Sequence, residues 1–212
     1  MWRLYTYFRS SAAYRVRIAL NLKGLAYEPV FVHLRHGEQQ SESYRAVNPQ
    51  GLVPALETDE GVLAQSLAII EYLEETHPSP PLLPAAPFAR AQVRRMAQII
   101  ACDIHPLNNL AVLKTLKRDF GADEQAVGRW YAHWIRRGFA ALEELVARYG
   151  SAERCFGEAV TVADVCLVPQ MANARRFAVD LAPFPRLVAI DTALRSLPAF
   201  AAAAPAAQPD AE

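Results

Sequence analysis

The spacing of apolar residues changes from strand-like to helix-like early in the chain. The run from Trp2 to Phe8 is rich in aromatic and apolar side chains, which is typical of a strand. From Ala12 to Leu20 the apolar residues recur at helical spacing, and Lys23-Gly24 predicts the end of that helix. Ser10 and Ser11 therefore lie at or near the N-cap, where backbone N–H groups and the positive end of the helix dipole favour a thiolate, a carboxylate or a phosphate. The alternative from these residues alone is that the serines only cap the helix.

The pattern that follows predicts a βαβ unit extended by a hairpin and a helix. Residues 27–32 form a second strand, which is parallel to the first because a helix connects them. The next strand, at residues 52–56, contains Pro54, which cannot donate to a sheet ladder and is therefore expected at a strand start or edge. A turn at residues 58–61 leads to a short strand and then to a helix that starts at Gln65-Ser66. The side chains predicted to face water on this helix are Glu71, Glu74 and Glu75.

A different organisation begins after residue 77. Five prolines from Pro78 to Pro87 mark a stiff connector, and beyond Phe88 the pattern predicts only helices, over residues 89–116, 123–149, 161–177 and 185–203. Pro106 is expected to kink the first of them, and Thr161 with Asp164 has the form of a capping box. The sequence thus predicts an N-terminal domain over residues 1–80, a linker over 81–87, a helical domain over 88–204 and a frayed tail over 205–212.

Three motifs in this order resemble a known superfamily. Residues 48–56 match Asn-Pro-x-Gly-x-Val-Pro-Ala-Leu, and residues 65–73 match Gln-Ser-x-Ala-Ile-Ile-Glu-Tyr-Leu, which resembles the glutathione-binding domain of the glutathione transferases. The segment from Arg9 to Leu20 is similar to the zeta class of that superfamily. The resemblance runs from about Arg3 to Asp191, and it implies an α/β thioredoxin-like N-terminal domain followed by an all-α C-terminal helical domain.

The resemblance implies glutathione as the cofactor. It assigns Ser10, with Ser11 as second choice, as the hydroxyl donor to the glutathione thiolate, and it places Arg9 beside them in the catalytic segment. The further implied glutathione contacts are Gln50, Val53, Pro54, Gln65, Ser66, His105 and Asn108. The alternative interpretations are a helix cap for Ser66, a turn for Gln50 and a structural histidine for His105.

The implied substrates are small dicarboxylates. The zeta class includes isomerases of maleylacetoacetate and maleylpyruvate, and Arg9 with Arg176 matches the arginines expected to bind their carboxylates. We interpret Arg15, Arg17 and Arg175 instead as a solvated basic face. Two alternatives remain open: a transferase that conjugates or dehalogenates small electrophiles, and a non-catalytic binding module built on the same fold.

Three positions depart from the family pattern. Ala12 and Tyr14 replace the Cys and the Trp or His that are common in the zeta motif, so the segment lacks a cysteine nucleophile. Some maleylpyruvate isomerases also lack this cysteine. Leu110 stands where those relatives tend to have an arginine, which favours maleylacetoacetate slightly.

Composition narrows the classes of partner. The 212 residues carry 22 basic and 22 acidic side chains, and this balance gives no reason to expect nucleic acid or an anionic membrane as a partner. No apolar run is long enough for a membrane span, and no signal-peptide pattern is present, so we expect a cytoplasmic protein. Cys102, Cys155 and Cys166 are far apart and are expected to be reduced, with Cys102 and Cys166 packed in helices, and no metal site is expected. The resemblance implies a homodimer.

Overall fold

The computed structural model describes residues 1–212, which fall into two compact units. The first unit combines Met1–Pro81 with Ser196–Glu212, and the second comprises Leu82–Arg195. None of the helices has the length and hydropathy needed to cross a membrane. No three His, Cys, Asp or Glu side chains converge as a metal site would require.

A mixed four-stranded sheet forms the centre of the first unit. Its strands are β1 (Trp2–Thr6), β2 (Tyr27–Phe31), β3 (Ala55–Thr58) and β4 (Gly61–Ala64), in the order β2-β1-β3-β4. β1 pairs with β2 in parallel and with β3 in antiparallel orientation, and β3 and β4 form the hairpin. This is the predicted thioredoxin-like arrangement. Pro54 precedes β3, so its missing N–H costs no ladder hydrogen bond.

Four helices belong to this unit: α1 (Ser11–Leu22), α2 (Glu42–Val47), α3 (Ser66–Thr76) and α9 (Pro198–Ala203), which is numbered by its place in the chain. Helix α1 connects the two parallel strands and packs against both α3 and α9. Every residue from Ser11 to Leu20 is buried, so α1 lies in the interior and has no solvent face.

The expectation of a solvated basic face on α1 was wrong. Arg15 is 1% exposed and Arg17 is 0% exposed, because α3 and α9 cover the helix on the sides away from the sheet. The Arg17 guanidinium donates to Ala203 O at 3.0 Å, to Thr6 Oγ1 at 2.9 Å and to Phe8 O at 3.2 Å. Burial lowers the pKa of Arg17 to about 10, so it stays charged at neutral pH.

Glu74 also differs from its prediction, since it is buried rather than water-facing. Lys23, just after α1, donates from Nζ to Glu74 Oε2 at 2.9 Å, to His77 O at 2.6 Å and to Pro80 O at 3.0 Å. An ammonium group has three N–H donors, and each of them finds an acceptor here. The turn of α3 that carries Glu74 packs toward the end of α1, which accounts for the burial.

Residues 196–212 pack within the first unit. The sequence instead predicted that residues up to 204 belong to the helical domain and that residues 205–212 form a frayed tail. Phe200 and Ala203 of α9 are fully buried, and Asn21 Nδ2 donates to Ala199 O at 3.0 Å. The predicted helix over 185–203 is divided because Pro198 disfavours a helical conformation at the preceding residue.

The second unit contains α4 (Pro87–Gln98), α5 (Leu110–Phe120), α6 (Glu124–Tyr149), α7 (Val162–Arg176) and α8 (Pro185–Arg195). The predicted helix over 89–116 is interrupted by a π-helical segment, Ile99–Ile104, and a 3₁₀ turn, Pro106–Asn108. A Cβ atom added at Gly138 of α6 would overlap the Ile104 side chain, so this glycine allows the close approach. The predicted capping box is confirmed, with Thr161 N donating to Asp164 Oδ2 at 2.7 Å.

The cysteines are all free, as expected. Cys155 and Cys166 are buried, and burial raises the pKa of the Cys155 thiol well above its usual value. Cys102, in contrast, is exposed, and its predicted packing was wrong. Ile100 and Ile104 turn inward from the π-helical segment, which leaves Cys102, halfway between them, on the outer face.

We predict that the Lys23 ammonium group is required for the stability of the first unit. Lys23→Met leaves Glu74 buried without its cation, which should cost about 3–5 kcal/mol. Guanidinium unfolding followed by circular dichroism measures the change, and Lys23→Met with Glu74→Leu should recover most of it. Lys117→Met is the control, because Lys117 pairs with Glu124 in an exposed position and its loss should change stability little. A parent-like unfolding midpoint for Lys23→Met would contradict the prediction.

Candidate active site

The loop between β1 and α1 carries the first group of predicted site residues. Ser10 is the N-cap of α1, with φ −69° and ψ 113°, and its Oγ accepts from Ala13 N at 3.2 Å. Ser10 N in turn donates to Tyr7 O at 3.0 Å, which closes the loop. A hydroxyl oxygen that accepts from the helix can still donate its own proton to an anion. The predicted N-cap is therefore confirmed at Ser10, while Ser11 is the buried first residue of the helix.

Arg9 precedes the cap on the same loop and is partly exposed. Its guanidinium carbon lies 4.9 Å from the centroid of the Phe8 ring. A guanidinium group on an aromatic face keeps its N–H donors at the edge free for a planar anion. One short loop therefore presents a hydroxyl, a helix N-terminus and a cation.

The start of α3 forms the second group of site residues. Gln65 adopts φ 68°, a left-handed conformation that is unusual for a residue other than glycine. Ser66 follows as the first helical residue, and its Oγ accepts from Arg15 Nη1 at 3.2 Å. Gln65 is the N-cap and its side chain makes no capping hydrogen bond, so the interpretation of Ser66 as a helix cap was wrong. Backbone strain held at a surface position is common in ligand sites.

Gln50 joins this group from the loop before β3. Gln65 Nε2 donates to Gln50 Oε1 at 2.9 Å, and both side chains are exposed. Gln50 also lies in a turn, because its N–H donates to Asn48 Oδ1 at 3.2 Å. The predicted turn is thus present, and the same residue still reaches the start of α3.

Val53 and Pro54 follow Gln50 in the chain and immediately precede β3. Val53 is 8% exposed, and its bond to Pro54 is cis. The pairing of β3 with β1 starts at Ala55, so the backbone groups of Val53 lie outside the ladder. They are the kind of donor and acceptor that an extended peptide can pair with.

The second unit contains a separate group around Tyr131. Asn108 is 8% exposed, its Nδ2 donates to Tyr131 O at 3.1 Å, and its Oδ1 is buried without a hydrogen-bond partner. The Tyr131 ring stacks on Phe177 at 3.6 Å between centroids. Burial raises the pKa of Tyr131, and the positive charge of Arg176 opposes that change. The exposed Arg176 and the buried Asn108 are therefore linked through Tyr131, while His105 is half-buried.

Sequence reasoning missed Tyr131 and Phe177. Tyr131 lies between Val127 and Ile135 on the buried face of α6, and a tyrosine on an apolar face usually has a hydrogen-bond partner. That signal does not identify the partner, since Arg176 is far away in the chain.

Arg175 is exposed, as predicted, and it also makes a structural contact. Its Nη2 donates to Asp191 Oδ2 at 2.5 Å, and the Asp191 side chain is 0% exposed. Arg195 Nε lies 3.3 Å from the same oxygen. Burial raises the pKa of Asp191, and both arginines oppose that change.

Comparison with known proteins identifies the family. A family model described as the N-terminal domain of glutathione S-transferases matches residues 4–81. A maleylpyruvate isomerase of Ralstonia sp is 52% identical over 209 residues, which cover 98% of this chain and 99% of that protein. A holo structure of a maleylpyruvate isomerase, described as a bacterial zeta-class glutathione S-transferase, matches with a TM-score of 0.97 and 51% identity, covering 99% of this chain and 100% of that chain. The chain belongs to the zeta class of the glutathione S-transferases.

A second solved structure adds information on ligands. The crystal structure of a maleylacetoacetate isomerase from Methylobacterium extorquens AM1, with bound malonate and glutathione, has a TM-score of 0.95 and 42% identity over 99% of both chains. The ligands in that structure are a thiol tripeptide and a dicarboxylate.

The structure locates the three residues that depart from the zeta-class sequence pattern. Ala12 is buried in α1, and Tyr14 points to the C-terminal segment, where its hydroxyl lies 3.4 Å from Phe200 O. Tyr14 is thus part of the packing between α1 and α9. Leu110 is the first residue of α5 and is 39% exposed.

We predict that the capping role of Ser10 can be measured separately from any role in chemistry. Ser10→Ala leaves the Ala13 N–H without its acceptor and should lower the unfolding free energy by about 0.5–2 kcal/mol. Ser10→Asn keeps a good capping oxygen and should stay close to the parent. Thermal unfolding without ligand measures both variants. Equal losses for Ala and Asn would show that the Ser10 cap is not the stabilising contact.

Proposed function

We propose that this protein is a glutathione-dependent cis–trans isomerase of maleylacetoacetate or maleylpyruvate. The observation that carries the proposal is the loop before α1, which carries Arg9, the Ser10 hydroxyl and the helix N-terminus at successive positions of the chain. A thiolate needs the first two groups, and a dicarboxylate substrate needs the third. We base the proposal on the residues of this site, because the same fold also supports other functions.

The residues of the first unit fit glutathione. Arg15 donates to Ser66 Oγ, so the Ser66 proton is directed away from Arg15 and toward a carboxylate such as the γ-glutamyl end of the tripeptide. Gln65 and Gln50 lie beside it, and the unpaired backbone of Val53, before Pro54, suits the cysteinyl amide. From the second unit we assign His105 and Asn108, whose buried Oδ1 lacks a partner that a ligand N–H would supply.

Ser10 is assigned to the thiol of bound glutathione. A free thiol has a pKa of about 8.5, and lowering it by about two units needs roughly 2.7 kcal/mol of preferential thiolate stabilisation. One hydroxyl donor and a helix N-terminus together can supply an amount of this size. Ser11 is the second choice, because it is buried within the first turn.

Bound glutathione supplies a thiolate that adds reversibly to the cis double bond, so that rotation about the resulting single bond and elimination give the trans isomer. Ser10 holds the sulfur as an anion before the attack and again after the elimination. Arg9 and Arg176 bind the two carboxylates and hold the substrate while the central bond rotates. The Arg176 guanidinium carbon lies 4.9 Å from the centroid of the Phe177 ring, which in turn stacks on Tyr131, and this packing helps to hold Arg176 in place.

Conjugation of neutral electrophiles is the second candidate function. An apolar groove in the second unit is lined by Ala111, Val112, Thr115, Leu116, Phe120 and Trp130. An apolar surface of this kind suits a hydrophobic electrophile better than a dicarboxylate. A non-catalytic module is the remaining candidate, and a blocked glutathione site would favour it. We also propose that the protein is cytoplasmic and that it forms a homodimer. Size-exclusion chromatography with light scattering tests the dimer.

We predict saturable glutathione binding that depends on Ser66. Ser66→Ala removes a hydrogen bond to a charged group, which should weaken affinity roughly ten- to hundredfold. Titration calorimetry measures this. Ser10→Asn is the matched comparison: it should keep the affinity but raise the pKa of the bound thiol, as seen in the thiolate ultraviolet absorbance. Absence of binding by the parent at millimolar glutathione would rule out the proposed function.

We predict that Arg9 and Arg176 act on the substrate and not on glutathione. Leaving a bound carboxylate unpaired costs ~2–5 kcal/mol, so Arg9→Met or Arg176→Met should lower kcat/KM for either diacid by roughly thirty- to several-thousand-fold. Glutathione affinity and the conjugation of chlorodinitrobenzene should hardly change. Arg118→Met serves as the control, since Arg118 is exposed and pairs with Asp119. A parallel fall in both activities would make the arginines structural, and a parent that conjugates neutral electrophiles but isomerises neither diacid would favour the transferase.

A further inference from the structure

The C-terminal segment reaches the loop that carries Ser10. Phe8 N donates to Asp210 Oδ2 at 2.9 Å, and the other oxygen of this carboxylate is also shielded from solvent. Asp210 lies far beyond the sheet in the sequence but packs within the same unit. Its carboxylate therefore contacts the loop at Phe8, which is two residues before the N-cap of α1.

The carbonyl of the same residue is held by a second charged group. Arg17 Nη2 donates to Phe8 O at 3.2 Å, and Nη1 lies 3.4 Å from Tyr7 O. Arg17 Nε also donates to Ala203 O at 3.0 Å, so this guanidinium bridges the loop and α9. Burial lowers the pKa of Arg17, and the negative charge of Asp210 is among the effects that oppose this change. Both polar groups of Phe8 are thus fixed by charged side chains that contact or belong to the C-terminal segment.

These contacts set the geometry of Ser10. The Phe8 N–H shares one peptide plane with the Tyr7 carbonyl, so the Asp210 contact fixes the orientation of Tyr7 O. The Arg17 contact with Phe8 O fixes the next plane, which leads into Arg9. Ser10 N then donates to Tyr7 O, and Ser10 Oγ accepts from Ala13 N. Exposed loops without such contacts sample several conformations, and an N-cap hydroxyl would then point in several directions.

We propose that Asp210 is a positioning residue for the reaction: by holding the Phe8 N–H, it keeps the Ser10 hydroxyl at the cap and aimed at the glutathione sulfur. The inference rests on the proposed function for the role of the sulfur, while the link from Asp210 to the cap belongs to the fold itself. The C-terminal segment is thereby part of the catalytic loop's support.

The charge of Asp210 and its hold on the position of Ser10 have opposite effects on the pKa of the bound thiol, which makes the proposal testable. A carboxylate near a thiolate disfavours the anion, so removing the charge alone would lower the pKa of the bound thiol. Loss of the Ser10 position would raise that pKa, because a hydrogen-bond donor to the thiolate is lost. The direction of the change therefore separates the two effects.

The experiment compares Asp210→Ala, Asp210→Asn and Asp210→Glu with the parent. Alanine removes the acceptor, asparagine keeps an acceptor oxygen without the charge, and glutamate keeps the charge but moves the carboxylate by one methylene. The control is Asp180→Asn, because Asp180 Oδ1 also accepts from one backbone N–H, that of Ala182, at 3.0 Å. Glutamate keeps the test decisive if the alanine variant does not fold.

Amide hydrogen exchange without glutathione is the first measurement. In Asp210→Ala and Asp210→Glu the Phe8 and Ala13 amides should exchange roughly tenfold faster or more, while Asp210→Asn and Asp180→Asn stay near the parent. Faster exchange at Phe8 with unchanged exchange at Ala13 would overturn the proposal, since the contact would then not reach the cap.

Titration of the thiolate absorbance of bound glutathione is the second measurement. Asp210→Ala and Asp210→Glu should raise the pKa of the bound thiol by about one unit, which reduces the thiolate fraction at pH 7 roughly threefold, and Asp210→Asn should largely restore it. A lower thiol pKa in both Ala and Asn, with no change in Glu, would mean that Asp210 acts only as a charge, and would overturn the proposal. A parent that binds no glutathione would refute the proposed function, whereas the exchange of Ala13 decides the link to the cap independently.

Discussion

The Arg17 guanidinium is buried in the middle of the first unit, and the surrounding structure supplies acceptors for its donors. An isolated buried charge would cost several kcal/mol, so the cation is tolerated only with hydrogen bonds from several directions. Here the acceptors come from β1, from the loop after it and from α9. One side chain thereby connects the sheet, the catalytic loop and the C-terminal segment. The loop that carries Ser10 is thereby held by contacts from distant parts of the chain as well as by its local cap.

The elements that depend on local pattern could be predicted from the sequence. The strands, the cap at Ser10, the kink at Pro106 and the capping box of Thr161 each follow from neighbouring residues. The wrong predictions concern residues whose burial depends on distant segments of the chain. Arg17 is buried because α9 covers it, and Glu74 is buried because Lys23 lies opposite. Neither fact is visible in the helical spacing of α1 or α3, where charged residues normally indicate water.

The candidate site shows the same division. The resemblance to the zeta class suggested Ser66 and Gln65, but the donor behind Ser66 is Arg15, which the sequence pattern assigned to a solvated face. Likewise Arg176 was expected, while its support by Tyr131 and Phe177 was not. Residues that contact a ligand carry motif information, whereas those that orient them are recognisable only by their packing.

The division of the first unit between the two ends of the chain has a consequence for synthesis. During translation, residues 1–81 leave the ribosome long before Ala203 and Asp210 do. Until then Arg17 lacks its α9 acceptor, and the face of α1 that packs against α9 has no cover, although α3 is already present. The second unit, which is continuous, has all its residues available earlier than the first. The first unit, although it contains the N-terminus, is therefore the last to be completed, and its packing depends on the last residues to be synthesised.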